Sequence, residues 1–573
     1  MYKYTTTLLA LLLPVIALAG NPVSRTDAER LAGEYFSSSR HSGTTKTSAA
    51  PLTLVKTASD NEFYIYNRKG GGFVIVSGDD AVGPYLAYSD EGEFRTANMP
   101  ANLRHYLDLL AYEVRTYRND PSKKSITPTA SSETILTTAK WDQDTPYNNL
   151  SPVYNGYRSV TGCVATAMAI VMQYNKWPER GRGTLPSYTT YTHGIRMEGY
   201  ELGHSYDWSN MPDKYTVAYT QEQADQVAQL MLDCGMMVRM DYSPYGSGAY
   251  SQDVRDAIIE YMDYDPACMY LMREMFTDDD WFARIKESID DNCPLIYSSY
   301  GAEGGHEYVV DGYNSSNMVH VNFGWSGSGN GFYKLTDMGG MSQGQDAIFH
   351  VRKPQPGGSE GEPLLYMSGK GLSIQGNYTS GQKFTVKSSY IYSYGSCGFT
   401  GTVGLALVDF DGNIKSILAS RDIYDLAVNH YSYGLTFDVQ AGTQIRKGEG
   451  LQLFMKPQGS DSYEPVVFNP NNGTAGIIYP EGQAGNFLEL TSVTCEKATG
   501  KITVTMPTES VRAELKDDSG SGVSFGTEKK GNKFIISTAD LRDGIYKLVL
   551  SRDGENEKTI RIPVDNSKRL SDE

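Results

Sequence analysis

A cysteine and a histidine stand in the two segments of this chain that are best suited to covalent chemistry. Cys163 lies in Thr161–Met168, where an apolar helix is expected to begin, and His306 lies in Gly304–Gly312, where a strand is expected to begin. A thiol attacks a peptide carbonyl effectively only as the thiolate, which a helix N-terminus and a neighbouring imidazolium both favour. The pair therefore predicts nucleophilic catalysis, with Cys163 as the nucleophile and His306 as the base.

The helix that follows Cys163 is expected to help the reaction directly. Thr161 is a suitable N-cap for a helix over Val164–Trp177, and Gly162 leaves room for a close substrate. Cys163 would then lie in the first turn, where unpaired N–H groups point outwards, and its own N–H could donate to the oxyanion of a tetrahedral intermediate. A cysteine in an apolar stretch is more often a buried structural residue. The assignment therefore rests on the histidine as well as on the helix start.

Asn322 is predicted to orient the histidine through a strand pairing. If Gly312 faces Asn317 across a turn, His306 lies opposite Phe323 and Asn322 is its neighbour, within one residue of register error. The Asn322 amide could then fix the tautomer of the imidazole, as in a Cys-His-Asn arrangement.

Four other residues enter this prediction. Trp325 could shield the orienting hydrogen bond from water, although a tryptophan is usually a core residue and an asparagine near a strand end is usually a turn residue. His320 and His204 are rivals for the base, but neither follows a Gly-Gly pair that lets a substrate approach closely. Asp311 could also orient the base, but strand alternation places it on the opposite face from His306. It therefore ranks below Asn322.

Composition excludes several classes of partner and cofactor. The 573 residues carry 51 basic and 68 acidic side chains, a net charge of −17, which makes a nucleic-acid partner improbable. No pair of cysteines has C-x-x-C spacing, so neither a zinc site nor a redox motif is predicted, and no cofactor is expected. The cysteines are also too sparse for a disulfide-built scaffold, so mostly buried free thiols are expected, with Cys163 free. They are Cys163, Cys234, Cys268, Cys293, Cys397 and Cys495.

The N-terminus has the pattern of an export signal. Lys3 precedes an apolar run from Leu8 to Leu18, and Ala17–Ala19 is an A-x-A cleavage site. The run is too short to cross a bilayer, and no later segment reaches membrane-spanning length. A secreted or cell-surface bacterial protein is expected.

The chain divides into five predicted segments. Breaker-rich stretches over residues 119–137 and 353–363 separate a first α+β module, with a capped helix, a hairpin and an amphipathic helix, from a second α+β module and then from strand-rich sequence. The predicted domains are a signal peptide at 1–19, a first module at 20–131, a second module at 132–355, and β-modules at 363–485 and 486–573.

The second module resembles the streptopain family, the C10 family of papain-like bacterial cysteine proteases. Gly72–Asp80 resembles the family's inhibitory pro-domain, and Met240–Ala249 resembles a segment that lines its substrate cleft. The other matching segments are Thr161–Ala169, Pro294–Ser298, Gly304–Gly312 and His320–Trp325.

The resemblance implies an endopeptidase that is made as a zymogen, with Cys163 as nucleophile and His306 as base. Because Trp141–Asn148 resembles the family's opening segment, Gln143 is the candidate for a second oxyanion donor. Phe323 departs from the pattern, since better-known members carry a tryptophan there, and this weakens an argument from shielding by an indole. The implied cleft favours an apolar side chain just before the residue at the scissile bond.

The expected fold class is α+β: a papain-like catalytic domain, preceded by an α+β pro-domain and followed by two β-sandwich modules of immunoglobulin-like type. The expected function is that of a secreted cysteine endopeptidase, with protein or peptide substrates and with its own pro-domain as intramolecular inhibitor. Two alternatives stay open. One is a Cys-His acyltransferase that passes the thioester to an amine, and the other is a surface adhesin that carries a degenerate protease module.

Overall fold

The computed structural model describes most of the chain. The predicted signal peptide and most of the predicted linker after residue 119 lie outside the described residues. No helix in the described part of the chain is long and apolar enough to cross a membrane. The described residues are 21–37, 50–97, 99, 101–119, 133–215, 218–301, 304–334, 344–409, 412–469, 476–482, 492–496, 501–505, 512–517, 520–523, 526–530, 533–537, 541–542, 544–551 and 558–564.

Two compact units make up the chain. The first reaches to Pro363 and takes in Tyr394–Cys397, and the second comprises Leu364–Ser393 and the chain from Gly398 onwards. The α-helices of the first unit are α1 Arg25–Ser37, α2 Ala101–Asn119, α3 Cys163–Asn175, α4 Gln221–Met237, α5 Ser251–Met262 and α6 Asp278–Asp290. Its strands are β1 Leu52–Thr57, β2 Phe63–Arg68, β3 Phe73–Ser77, β4 Tyr85–Ser89, β5 Glu133–Ile135, β6 Val153–Tyr154, β7 Tyr157–Arg158, β8 Thr184–Leu185, β9 Tyr188–Thr189, β10 Arg196–Met197, β11 Tyr200–Glu201, β12 Met269–Met272, β13 Leu295–Gly301, β14 Gly304–Asn314, β15 Met318–Asn322, β16 Gly331–Lys334 and β17 Gln345–Phe349.

One 11-stranded sheet runs through the whole first unit. Its order is β1-β2-β3-β4-β16-β15-β14-β13-β17-β12, with β5 paired to β14. The join is antiparallel between β4 and β16, where Tyr88 faces Phe332 and Ala87 faces Tyr333. The strands of the first predicted module therefore extend the sheet of the second by backbone hydrogen bonds.

Helices cover both faces of this sheet. On one face, α3 packs on Val309 of β14, and Ala28 of α1 packs on Tyr88 and Phe332. On the other face, α2 packs on β14, and α6 packs on both β14 and β13. Burial on both faces explains why a strand such as β3, whose five residues are all buried, carries consecutive apolar residues rather than an alternation. The α+β character predicted for this part of the chain is confirmed.

All the described elements of the second unit are strands, in agreement with the strand signals of the sequence. The strands are β18 Leu365–Met367, β19 Leu372–Gln375, β20 Phe384–Ser388, β21 Ile391–Ser393, β22 Phe399–Val408, β23 Ile414–Leu426, β24 Tyr431–Ser432, β25 Thr436–Val439, β26 Gly450–Pro457, β27 Glu464–Pro465, β28 Val467–Phe468, β29 Ser492–Glu496, β30 Lys501–Thr505, β31 Arg512–Lys516, β32 Gly526–Lys530, β33 Lys533–Ser537, β34 Gly544–Ser551 and β35 Lys558–Val564. The sheets β24-β21-β18-β28, β19-β20-β25 and β23-β22-β26-β27 belong to one core, and the sheets β29-β30-β33-β32 and β31-β34-β35 belong to another.

Candidate active site

Cys163 is the first residue of α3, as the sequence predicted, but the cap differs from the prediction. The N-cap is Gly162 rather than Thr161, and it makes no side-chain capping bond. Gly162 has φ 89°, and a Cβ there would lie 2.7 Å from Met240 Sδ and 3.0 Å from Ser247 O. Only glycine fits this left-handed, crowded position, so the chain enters the helix one residue later than a threonine cap would require.

Cys163 is partly buried and lies at the edge of a cavity of about 760 Å³ that His306 and Glu307 also line. Burial raises the pKa of Cys163 to about 11, although the Glu307 backbone N–H lowers that pKa and the Glu307 carboxyl raises it again. The thiol is therefore protonated at neutral pH in this conformation. A helix N-terminus alone does not overcome the desolvation of a buried sulfur.

His306 lies on β14, where it pairs with Ser299 of β13. Val309, three residues later, faces α3, so strand alternation places the His306 side chain on the opposite face of the sheet. Tyr308 shares that opposite face, where its ring stacks on Tyr297 at 5.4 Å. The imidazole and the thiol thus line one cavity, but they approach it from different sides of the strand.

Glu307 is a site residue that the motif analysis missed. It is 3% exposed, and its Oε2 accepts a 2.6 Å hydrogen bond from Ser251 Oγ. Its Oε1 has no hydrogen-bond partner among the described residues. Burial, followed by the nearby Asp346 carboxyl, raises the pKa of Glu307 to about 8, and burial raises the pKa of Asp346 to about 6. The signal in the sequence was an acidic residue near the start of a strand, directly after the predicted base.

The predicted pairing of His306 with the returning strand is wrong. The prediction placed Asn322 next to the residue opposite His306, but in the structure Asn322 pairs with Val309. The same pair of strands contains a bulge between Val310 and Gly312. The main error is the position of the turn, because β14 continues to Asn314 instead of turning after Gly312. This shifts the pairing by three residues, and the bulge takes back one of them. Asn322 therefore lies three strand residues, about 10 Å, from His306 along β14.

The amide of Asn322 is engaged elsewhere in this structure. Its Nδ2 donates to Ala139 O at 2.7 Å and to Thr137 Oγ1 at 3.4 Å, and its Oδ1 accepts from the Gly324 N–H at 3.2 Å. The predicted hydrogen bond from Asn322 to the imidazole is thus not formed here. Asn322 does share the α3 face of the sheet, because its pairing partner Val309 packs on that helix.

The rival histidines both form pairs with buried aspartates. His320 Nδ1 lies 2.5 Å from Asp311 Oδ1, and Thr137 also donates to Asp311 through its backbone N–H and its hydroxyl. His204 Nε2 lies 2.7 Å from Asp233 Oδ2. Neither rival lines the cavity of Cys163. Asp311 orients His320 and not His306.

Gln143 and Trp325 lie near the site without a contact that defines their roles. The Gln143 carbonyl accepts a 3.1 Å hydrogen bond from the Thr161 N–H, two residues before Cys163, so its loop adjoins the start of α3. Trp325 is half-buried in the turn after β15, where its carbonyl accepts from the Ser328 N–H. The shielding predicted for Trp325 has no hydrogen bond to protect in this structure, because Asn322 does not contact the imidazole.

Five of the six cysteines have described side chains, and all five are free thiols, as predicted. Cys234, Cys268 and Cys293 are buried, whereas Cys163 and Cys397 are partly buried. The side chain of Cys495 is not among those the structure describes. Within the described residues, no cluster of three His, Cys, Asp or Glu side chains could hold a metal ion.

The fold and the site define a cysteine peptidase preceded by a pro-domain. Residues 141–333 match the model of the Peptidase C10 family, and residues 20–114 match that of the Spi protease inhibitor. Streptopain of Streptococcus pyogenes is 32% identical over 299 residues, which are 48% of this chain and 74% of that protein. The chain belongs to the C10 family, the streptopain family.

Two further proteins are similar over the same region. The thiol protease/hemagglutinin PrtT of Porphyromonas gingivalis is 32% identical over 371 residues, which are 60% of this chain but 42% of that protein. A structure of a prointerpain A fragment of Prevotella intermedia is 31% identical and covers 54% of this chain and 100% of that one, with a TM-score of 0.48. The chain therefore spans less than half the length of PrtT.

Proposed function

We propose that this protein is a secreted cysteine endopeptidase that hydrolyses peptide bonds in protein substrates and is made as a latent zymogen. Cys163 is the nucleophile, His306 is the base, and Gln143 is the second oxyanion donor beside the Cys163 N–H. The observation that carries the proposal is that a thiol at a helix N-terminus and the histidine of a Gly-Gly-His segment line one cavity.

The proposed reaction follows from these groups. His306 accepts the thiol proton, the sulfur attacks the peptide carbonyl carbon, and the carbonyl oxygen becomes an oxyanion that the N–H of Cys163 and the amide of Gln143 stabilise. When the oxyanion collapses, the C–N bond breaks and His306 returns the proton to the leaving amine. Water, with His306 as base, then attacks the thioester, so that the acid product leaves and the thiol is restored.

The described conformation supports latency. The pro-domain adds its strands to the catalytic sheet at β4 and β16, and its helix α2 packs on the sheet face that carries the His306 side chain. Cys163 stays protonated because its pKa is about 11. Activation therefore requires His306 to turn towards α3. On that face Asn322 would be available to orient the imidazole.

Maturation by cleavage tests this proposal. The wild-type chain is expected to shorten within residues 119–137 in reductant, and the Cys163→Ala chain is expected to stay full length until active enzyme is added. A Cys234→Ala chain is the matched control, because Cys234 is a buried thiol outside the cleft, and it should mature as wild type does. Shortening of the Cys163→Ala chain at the wild-type rate, or full activity of unprocessed wild type, would overturn the zymogen mechanism.

The same proposal covers the rest of the chain. The domains are a signal peptide at 1–19, a pro-domain at 20–131, a papain-like domain at 132–355, and immunoglobulin-like β-sandwiches at 363–485 and 486–573. The support for the β-sandwiches is that strands of separate sheets share each core, as Val386 and Leu453 do in the first and Ile536 and Leu548 do in the second. N-terminal sequencing of the exported protein tests the signal peptide, whose removal after Ala19 is expected.

A further inference from the structure

One face of the second unit carries a cluster of tyrosines on two neighbouring strands. Tyr392 of β21 pairs with Tyr431 of β24, so their side chains project from the same face of the sheet. Tyr390 lies two residues before Tyr392 and Tyr433 two residues after Tyr431, which places them on that face as well. Ile391, between the strand tyrosines, is fully buried on the other face. The sheet therefore separates an apolar core from an outer tyrosine surface.

The rings of this cluster hold one another in place. The Tyr390 and Tyr431 centroids are 5.4 Å apart with planes at 64°, and the Tyr431 and Tyr433 centroids are 5.9 Å apart at 81°. The ring centroids of Tyr390 and Tyr433 are 5.9 Å apart, and those of Tyr392 and Tyr431 are 5.4 Å apart. Edge-to-face contacts at these distances are favourable, so a ligand would meet rings that are already ordered and would lose little conformational entropy on binding.

These aromatic rings are nevertheless open to solvent. Tyr390 is 47% exposed, Tyr431 is 50% exposed and Tyr433 is 74% exposed. Burial is where large aromatic side chains gain most stability, so an ordered cluster that stays exposed indicates a surface for binding. The core of this unit does not need these rings, because Ile391 and its neighbours fill it from the other face.

The chemistry of the surface selects the ligand. Residues 388–393 and 429–434 contain Ser, Tyr, Ile, Asn, His and Gly but no Asp, Glu, Lys or Arg. Nucleic acid would need cations for its phosphates, and the surface provides none in these segments. A lipid or an apolar helix would desolvate the phenol hydroxyls without offering them partners. A pyranose ring fits better, because its C–H face is apolar and its edge carries hydroxyls that can bond the phenols.

We propose that Tyr390, Tyr431 and Tyr433 form a binding surface for neutral polysaccharides. The sugar rings stack on the exposed phenol faces, and the sugar hydroxyls exchange hydrogen bonds with the tyrosine hydroxyls. A peptidase with such a surface would be concentrated on glycan-coated material, which raises the effective concentration of protein substrates there.

Affinity electrophoresis of the full-length Cys163→Ala chain tests this proposal without self-cleavage. The probes are mannan, dextran, laminarin and soluble starch, with alginate as an anionic comparison. Retardation by at least one neutral polysaccharide is expected. Tyr433→Ala and Tyr390→Ala should each weaken it by about tenfold, the order expected for loss of one stacked aromatic contact. Tyr433→Phe should keep most of the affinity, because it keeps the ring.

Tyr424→Ala is the matched control. Tyr424 is also 74% exposed and lies on β23, and its hydroxyl contacts Asp422 at 3.4 Å rather than another ring. This variant should bind as the parent chain does, and thermal melting should show that every variant is folded. Failure of all the neutral polysaccharides to retard the parent chain would overturn the proposal. The proposal would also be overturned if Tyr424→Ala weakened polysaccharide binding as much as Tyr433→Ala does. Binding to phosphatidylcholine vesicles without binding to any of the polysaccharides would overturn it as well.

Discussion

Two cavities of the first unit are each lined by a histidine of the same sheet. They differ in whether that histidine contacts the group with which it is expected to act. The cleft cavity, of about 760 Å³, contains Cys163 and His306, whereas the interface cavity, of about 650 Å³, contains His320 and residues of the pro-domain strand β4. His320 already has a buried carboxylate at 2.5 Å, that of Asp311. His306, in contrast, does not reach the thiol, because its side chain lies on the face of β14 that points away from α3.

The difference teaches that a formed His–Asp pair is not by itself a sign of catalysis. The hydroxyl nearest to that pair, Thr137 Oγ1, donates to Asp311 and not to the imidazole, so no nucleophile is activated there. The pair instead satisfies a buried carboxylate, which is costly to leave unpaired. In the cleft, the proposed nucleophile and base line one cavity but lie on different sides of the strand, which is the arrangement that the proposed latency requires.

The largest expected effect is loss of the nucleophile. Cys163→Ala should lower kcat/KM of the matured enzyme by at least about a thousandfold, because the covalent route is removed. Cys234→Ala should leave turnover within about twofold, since Cys234 is a buried core residue. Iodoacetamide should label Cys163 faster after maturation than before. Preferential labelling of Cys234 would contradict the assignment.

Substitution of the two histidines should affect different properties, turnover for His306 and stability for His320. His306→Ala should remove nearly all turnover with little change in melting temperature, because His306 is proposed as the base. His320→Ala should reduce the free energy of unfolding by about 1–3 kcal/mol, because the buried Asp311 carboxyl loses one hydrogen-bond partner and keeps the two bonds from Thr137. Peptide hydrolysis and urea unfolding of both variants measure this contrast. If His320→Ala abolished turnover in a fully folded protein, the roles of the two cavities would have to be exchanged.

Asn322→Ala should have an intermediate effect. If His306 turns to the α3 face on activation, the loss of its orienting amide should lower kcat by roughly tenfold to a hundredfold and leave residual activity, since orientation contributes less than the base itself. Asn322→Gln is the comparison that keeps an amide but moves it by one methylene. Equal turnover of Asn322→Ala and wild type would show that Asn322 serves only its contacts with Ala139 and Thr137.

Glu307 predicts a pH dependence of stability. Its pKa is about 8 in the folded chain and about 4.3 in an unfolded one, so the folded state holds more protons in between. Stability from this group is therefore full below the unfolded pKa and falls as the pH rises towards 8. Glu307→Gln should remove that fall, so its melting temperature should gain on wild type between pH 5 and pH 8. Glu201→Gln, at an exposed glutamate, should show no such gain.

The smallest expected effect concerns the ion pair that joins the pro-domain to the segment after β5. Glu91 Oε2 lies 2.6 Å from Lys140 Nζ, and the Glu91 side chain is 78% exposed. Lys140 lowers the pKa of Glu91, so the pair stabilises above the unfolded pKa and is lost as the pH falls. Glu91→Gln should cost less than about 1 kcal/mol at pH 7, as the loss of an exposed ion pair usually does, and less at pH 3 than at pH 7. A larger cost at pH 3 than at pH 7 would contradict this.

Pattern alone predicted which elements carry the candidate residues but not the mutual geometry of those residues. The apolar run after Cys163 and the Gly-Gly-His segment before a strand were readable because helix starts and strand starts have local signals. The pairing of Asn322 with Val309 was not readable, since β14 continues past Gly312 to Asn314 before the turn and a bulge between Val310 and Gly312 then changes the register again. The role of Gly162 as cap depends on Met240 and Ser247, which are distant in the sequence.

The sequence by itself determined that this chain has a cysteine peptidase module behind an inhibitor-like module, because the types and spacing of Cys163 and His306 are properties of the chain. Only the tertiary structure decided the burial, the protonation and the relative placement of the groups in the candidate site. The protonation of Cys163 depends on its burial, the high pKa of Glu307 depends on burial beside Asp346, and the face on which His306 lies depends on strand register. Each of these is set by groups that are far apart in sequence and close in space, where desolvation and Coulomb interactions act.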